Sequence, residues 1–217
     1  NNIRCLMPKK WLLWCVSLGT VAATAVAAPP PLEPYLSIAG NGGGQWWGGT
    51  DRIIYTNRST GVLQVWACGR EGGTATTVRL TDFPEGVTGA YAHPVTGAVI
   101  VAADKAGNER EQLYLLGKAP DEMTLLTPDG RAFYNFGDWS RDGRYVAYAS
   151  NERNEAFVDV YLLDLTTRER RLLFQNDGYN QVVAFSPDGR WLLVYHARGS
   201  ADCDLYLVDA HGDAAPR

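Results

Sequence analysis

One short phrase occurs twice in this chain at a blade-sized spacing, and it decides the architecture. Asp138-Trp139-Ser140-Arg141-Asp142-Gly143-Arg144 precedes the apolar run Tyr145-Val146-Ala147-Tyr148. Ala184-Phe185-Ser186-Pro187-Asp188-Gly189-Arg190 precedes Trp191-Leu192-Leu193-Val194-Tyr195. Trp139 and Phe185 lie 46 residues apart. A period of about 40–50 residues suffices for one four-stranded propeller blade. In each copy the aromatic-Ser pair ends a short strand. Asp-Gly predicts a tight primed hairpin turn, because Gly adopts positive φ without steric cost. The β-branched and aromatic run after it predicts a strand buried on both faces.

The rest of each unit follows the same order. Val158-Asp159-Val160-Tyr161-Leu162-Leu163-Asp164 and Cys203-Asp204-Leu205-Tyr206-Leu207-Val208-Asp209 share Asp-x-Tyr-Leu-x-Asp as a third strand, and Arg170–Phe174 predicts an edge strand. Fainter copies lie upstream. Gly89–Ala92, Ala98–Ala103, Gln112–Leu116 and Met123–Thr127 predict one unit, and Gln45–Trp47, Asp51–Thr56, Val62–Trp66 and Thr77–Thr81 another. Trp47, Tyr91, Trp139 and Phe185 then anchor four units in steps of 44, 48 and 46 residues. The expected fold is an all-β propeller with blades near 45–82, 88–128, 134–175 and 180–217. A β-sandwich with chance hairpins does not explain the even spacing.

The ends carry separate expectations. Arg217 follows the third strand of the fourth unit, so that unit lacks its edge strand, the ring is incomplete and the natural protein is expected to continue. Near the start, Met7-Pro8-Lys9-Lys10, the apolar stretch Trp11–Val26 and the small residues Ala25-Val26-Ala27 predict a secretory signal peptide over 7–27. The apolar stretch is too short for a confident membrane span; an uncleaved amphipathic anchor is the alternative. Residues 1–6 read as upstream read-through and 28–40 as a Pro-rich linker. Trp14 before Cys15 does not fit a lipoprotein acceptor. The mature protein is therefore expected to be exported, periplasmic or secreted, without a stable membrane anchor.

Removing residues 1–27 takes the formal net charge from −4 to −7. An acidic chain without basic runs argues against nucleic acid, where a positive stripe supplies most of the affinity. Cys68 and Cys203 remain, on matching strands of distant units; a disulfide is improbable, and both read as buried small hydrophobes. No catalytic constellation emerges. No Gly-x-Ser-x-Gly elbow or phosphate loop is present, and the three histidines, His93, His196 and His211, lack partners at metal-ligand spacing. No catalytic, metal or cofactor residue is assigned. Asp159, Asp202 and Asp204 read as blade-corner carboxylates that accept backbone N–H groups rather than as a cation site. Asn108-Glu109-Arg110 and Asn151-Glu152-Arg153 echo each other in loops between second and third strands. They read first as plain solvated loops, with a candidate rim facing a substrate or partner domain as the alternative.

Phe185-Ser186-Pro187-Asp188-Gly189-Arg190, its apolar strand and Asp204-Leu205-Tyr206-Leu207-Val208-Asp209 resemble the repeat of TolB-like propellers. They equally resemble the N-terminal propeller of the prolyl oligopeptidase family of serine peptidases. Asp104-Lys105-Ala106-Gly107-Asn108-Glu109 with Gln112-Leu113-Tyr114, and Ser150-Asn151-Glu152-Arg153 with Asp159-Val160-Tyr161, are similar to blades of the dipeptidyl- and acylaminoacyl-peptidase-like members. The resemblance covers about residues 35–212. It implies a non-catalytic propeller that gates and helps bind short peptides for a C-terminal α/β-hydrolase domain carrying the Ser-Asp-His triad. The alternative is a TolB-like periplasmic module that docks protein partners. No convincing match to the paired-glutamate segment of some dipeptidyl peptidases is present, so exopeptidase and endopeptidase both stay open.

Overall fold

The computed structural model describes residues 40–117, 122–128, 130–212 and 214–217. The expected read-through, signal peptide and nearly all of the linker lie outside the described residues. Those residues form strands and turns, with no helix. β1 (Asn41–Trp47), β2 (Arg52–Asn57), β3 (Gln64–Glu71) and β4 (Thr74–Arg79) make the first antiparallel blade. β5 (Gly89–Ala92), β6 (Val99–Ala103), β7 (Gln112–Leu116) and β8 (Met123–Leu125) make the second. β9 (Tyr134–Trp139), β10 (Tyr145–Asn154), β11 (Phe157–Asp164) and β12 (Arg170–Phe174) make the third. β13 (Tyr179–Phe185), β14 (Trp191–Gly199) and β15 (Asp202–Asp209) belong to the fourth. At the outer edge of that blade Arg217 exchanges both backbone hydrogen bonds with Leu207, at 2.9 and 3.0 Å, a single-residue contact where a fourth strand would pair.

This is a β-propeller, and its core is divided between blades. Ile54, Val65, Val99 and Val101 pack between the first and second blades. Ile100, Leu113, Tyr134, Val146 and Tyr148 pack between the second and third. Ala147, Val160, Val182, Leu192 and Val194 pack between the third and fourth. Alternate residues of β6 thus serve opposite interfaces, the period-two logic of a strand. Each fully buried aliphatic side chain contributes about 1.5–3 kcal/mol. β10 is buried on both faces over Val146–Ser150, as its composition implies, but β14 alternates buried and half-buried residues. Among the described residues no blade covers the second face of β14. Gly137 lets β9 approach β13, since a Cβ there would collide with Val182.

Two sequence expectations need correction. The hairpin after each aromatic-Ser pair is not a primed turn, because only the glycine has positive φ: 72° at both Gly143 and Gly189. Instead a four-residue reversal is closed by backbone bonds from Gly143 N to Ser140 O (2.9 Å) and from Gly189 N to Ser186 O (2.8 Å), and side chains brace it. Ser140 Oγ donates to Asp142 Oδ1 (2.6 Å) and accepts from Tyr145 N (2.8 Å), while Arg144 N donates to Asp142 (3.0 Å). Ser186, Asp188, Arg190 and Trp191 repeat every bond. The Ser140 hydroxyl, followed by the Arg144 N–H, holds the Asp142 carboxyl below the usual range. The repeat register also shifts. Strand pairing places Trp46, Ala92, Trp139 and Phe185 at equivalent positions, 46, 47 and 46 residues apart. The aromatics Trp47 and Tyr91 each stand one residue off that position, so spacing by aromatics looked less regular than the backbone is.

Inner strands are also strapped to one another. Gln45 Oε1 accepts from Ala92 N (2.9 Å), and Asp138 Oδ2 accepts from Phe185 N (2.8 Å). At the matching position of the second blade Tyr91 stacks on Phe136 with ring centroids 4.2 Å apart.

Candidate functional site

In an antiparallel meander alternate connections fall at opposite ends. One rim carries the Ser-Asp-Gly turns. The other carries the loops between second and third strands and the connections between blades, and the candidate residues lie there.

That rim is held by one position in each blade, the start of the third strand. Gln64, Gln112, Asp159 and Asp204 pair with Asn57, Ala103, Ser150 and His196, so they are equivalent. In the first blade Gln64 Nε2 donates to Phe83 O (2.6 Å) and its Oε1 accepts from Thr81 Oγ1 (2.7 Å). Gln112 does the same with Ala132 O (3.0 Å) and Thr127 Oγ1 (2.9 Å). Asp159 is instead held by both prongs of the Arg153 guanidinium, and Asp204 accepts from Arg198 at 2.5 Å. Arg198 also holds Asp202 and keeps its carboxyl below the usual range. The three aspartates therefore engage arginines rather than the backbone N–H groups expected of them. Backbone N–H groups go to other short polar side chains, among them Asn57, Asn108, Asn154 and Asp209.

The two Asn-Glu-Arg echoes are not equivalent. β10 runs on through Asn151, Glu152 and Arg153, bulges between Ser150 and Asn154, and turns back at Phe157. β6 stops at Ala103, and Asn108-Glu109-Arg110 falls late in a loop with left-handed Ala106, Gly107 and Glu109. The bulge re-aims the β10 side chains. Asn151, Glu152 and Arg153 line one cavity of about 400 Å³ together with Arg131, Tyr134 and Asn154. Glu109 lines a separate hollow of about 350 Å³ beside Asp104 and Glu111. Asn108 and Arg110 line neither; Asn108 Oδ1 accepts from Arg110 N (3.0 Å) within the loop. Arg131 and Tyr134 escaped the sequence reading, because they sit in a blade connection and at an inner-strand start that carry no repeated phrase.

At the floor of the larger cavity, Glu152 Oε2 accepts from Tyr134 Oη (3.1 Å) and from Arg170 Nη1 (2.5 Å). Tyr148 stacks on Tyr161 (5.4 Å) and packs beside Tyr134 (5.8 Å). Burial, reinforced by the Glu152 charge, raises all three phenols, Tyr161 to about 12. All three are neutral at physiological pH, and Tyr134 donates to Glu152.

The remaining candidates are structural. His93 is buried; its Nδ1 accepts from Val95 N (3.2 Å) and Thr96 N (3.0 Å), which leaves Nε2–H to donate to Ser140 O (3.1 Å) of the next blade. His196 is buried against Asn180 (2.7 Å), and His211 is exposed. Both cysteines are free thiols, but Cys68 is half-buried and Cys203 exposed, contrary to the expectation of burial. They lie on the faces of the first and fourth blades that no described blade covers. Among the described residues no group of three or more His, Cys, Asp or Glu is placed to hold a metal ion, and no helix is long and apolar enough to cross a membrane.

No protein-family model matches the chain. It is 30% identical over 80 residues to the Tol-Pal system protein TolB of Francisella tularensis, which covers 36% of this chain and 18% of that protein. It is 23% identical over 155 residues to dipeptidyl aminopeptidase BIII of Pseudoxanthomonas mexicana, covering 70% of this chain and 22% of that one. The chain spans 18–40% of the length of these relatives and of another, an uncharacterised protein of Agrobacterium fabrum. A solved prolyl endopeptidase superposes with a TM-score of 0.63 at 15% identity, over 97% of this chain and 35% of its own. The likeness establishes the fold: the chain shares its β-propeller with TolB proteins and with peptidases whose chains extend well beyond it.

Proposed function

We propose that this chain is the propeller portion of an exported serine peptidase of prolyl oligopeptidase type. In this reading it catalyses nothing. It restricts access and helps hold short peptides for an α/β-hydrolase domain elsewhere in the protein, which supplies the nucleophile and oxyanion hole. The observation that carries the reading is the prolyl endopeptidase match, which takes in almost the whole of this chain and about a third of the larger one. The dipeptidyl aminopeptidase likeness and a polar rim cavity of about 400 Å³ support it. The basic-apolar-small order of residues 7–27 supports export, with a periplasmic or secreted mature protein that has no lasting membrane anchor. Its acidic charge supports peptide over nucleic acid. The second reading is a TolB-like docking module, favoured by the 30% identity over 80 residues.

The test is active-site labelling of the full-length protein with a fluorophosphonate, alongside hydrolysis of fluorogenic dipeptides and blocked peptides. Labelling of one serine with matching hydrolysis is expected. A full-length protein that neither labels nor hydrolyses any peptide overturns the peptidase reading in favour of the docking module.

A further inference from the structure

We propose that the cavity beside Tyr134 receives a carboxylate of a short peptide, either its C-terminal group or an Asp or Glu side chain. The inference rests on the peptide-binding role above and specifies the chemistry that the cavity accepts. It comes from asking which hydrogen-bonding groups of the lining are already used.

Glu152 is already neutralised by the Arg170 guanidinium, and both of its bonds fall on Oε2. Its carboxylate accepts from Tyr134 and Arg170, and its side chain is 19% exposed. Arg153 is fixed from behind by Asp159, whose side chain is fully buried. That pairing uses Nε and Nη2 and leaves the Nη1 arm of a five-donor guanidinium without a bond among the described residues. The two amides are oriented in the same sense. Asn151 Oδ1 accepts from Phe133 N (3.0 Å) and Asn154 Oδ1 accepts from Ala156 N (2.8 Å). Each amide therefore has its NH₂ group left to offer. Arg131 is exposed and makes no ion pair among the described residues.

The cavity thus offers mainly donors, with Glu152 Oε1 and the Glu155 carboxylate as side-chain acceptors beside them. Glu155, at the exposed hairpin tip, balances Arg131 in formal charge, so selection comes from hydrogen-bond polarity and not from a net field. An ammonium brings only donors and would share Glu152 with Arg170, while a primary amide has one acceptor oxygen and adds two further donors. A carboxylate accepts only, carries about four lone-pair sites and matches both guanidinium and amide donors. The volume of about 400 Å³ suits a peptide end and not a folded partner.

The experiment is calorimetric titration of the full-length protein, any reactive serine first blocked with fluorophosphonate. Three N-acetylated probes are compared: tetraalanine acid, tetraalanine amide, and an amide-ended tetrapeptide with one internal Glu. The acid, the Glu peptide or both are expected to bind at least about tenfold tighter than the plain amide, as for a charge-assisted hydrogen bond. Which of them does so identifies the source of the carboxylate. Arg131→Gln, an exposed substitution whose folding is checked by its melting curve, is expected to remove most of that difference. Equal binding of acid, Glu peptide and amide overturns the carboxylate assignment and leaves peptide binding intact. A preference for carboxylates that survives Arg131→Gln overturns the choice of cavity. No binding of any probe overturns both the inference and the peptide-binding role.

Discussion

The first two blades and the last two solve one problem with different chemistry. In blades one and two a glutamine at the start of the third strand reaches forward to the connection that leads into the next blade, at Phe83 O and Ala132 O. A threonine completes each clasp, and the whole device is neutral. In blades three and four the same position is aspartate, which cannot donate to a carbonyl and instead recruits an arginine from the preceding strand. The forward tie from blade three passes to Asn180, whose Nδ2 donates to Val158 O (2.6 Å) and Asn176 O (2.7 Å). One exchange of amide for carboxylate therefore replaces the neutral forward clasp with an ion pair and brings a guanidinium to the rim. In blade three the aspartate is buried and the arginine borders the cavity. In blade four both partners are substantially exposed, at 49% and 36%, and the pair lines none of the rim hollows described above.

This contrast can be broken in graded steps. Asp159→Ala leaves Arg153 without its buried partner and is expected to destabilise the protein by about 3 kcal/mol in urea unfolding; a loss under 1 kcal/mol would make the pair ornamental. Gln112→Ala strands the Ala132 carbonyl and the Thr127 hydroxyl, an expected cost of about 2 kcal/mol. Unlike the Asp159 effect, that cost should not change with salt, because no charge is involved. The tyrosine cluster under Glu152 sharpens the same division. Its folded-state phenols are raised, so unfolded tyrosines ionise first, near pH 10. Between there and about 12, where Tyr161 ionises, the native state binds more protons and stability falls as pH rises. Urea midpoints measured across that window should fall for the wild type and more gently for Tyr161→Phe. Asp204→Asn is expected to cost less than about 1 kcal/mol, and less still in high salt, as for an exposed pair.

Much of the fold was legible because the repeated Ser-x-Asp-Gly loop encodes its own closure. Ser140 and Ser186 satisfy the same donors and acceptors at both sites, so equal residues give equal turns. The register of the first two blades was not legible, since Trp47 and Tyr91 stand at pairing positions one residue away from those of Trp139 and Phe185, which only the cross-strand partners show. At the site, the proximity of Asn151, Glu152 and Arg153 could be read from one strand. Their separation from Asn108, Glu109 and Arg110 could not, because it depends on where β6 and β10 end. Arg131 comes to the cavity from a blade connection and Arg170 reaches Glu152 from an edge strand, distances that no local pattern fixes.

The central claim is that the blade-three pair, anchored on a buried aspartate, is a fixed clasp while its blade-four counterpart is a surface contact. A double-mutant cycle on Arg153 and Asp159, read by urea unfolding, tests this most directly. The predicted coupling is about 2 kcal/mol or more; coupling indistinguishable from zero, as for an exposed pair, would contradict it.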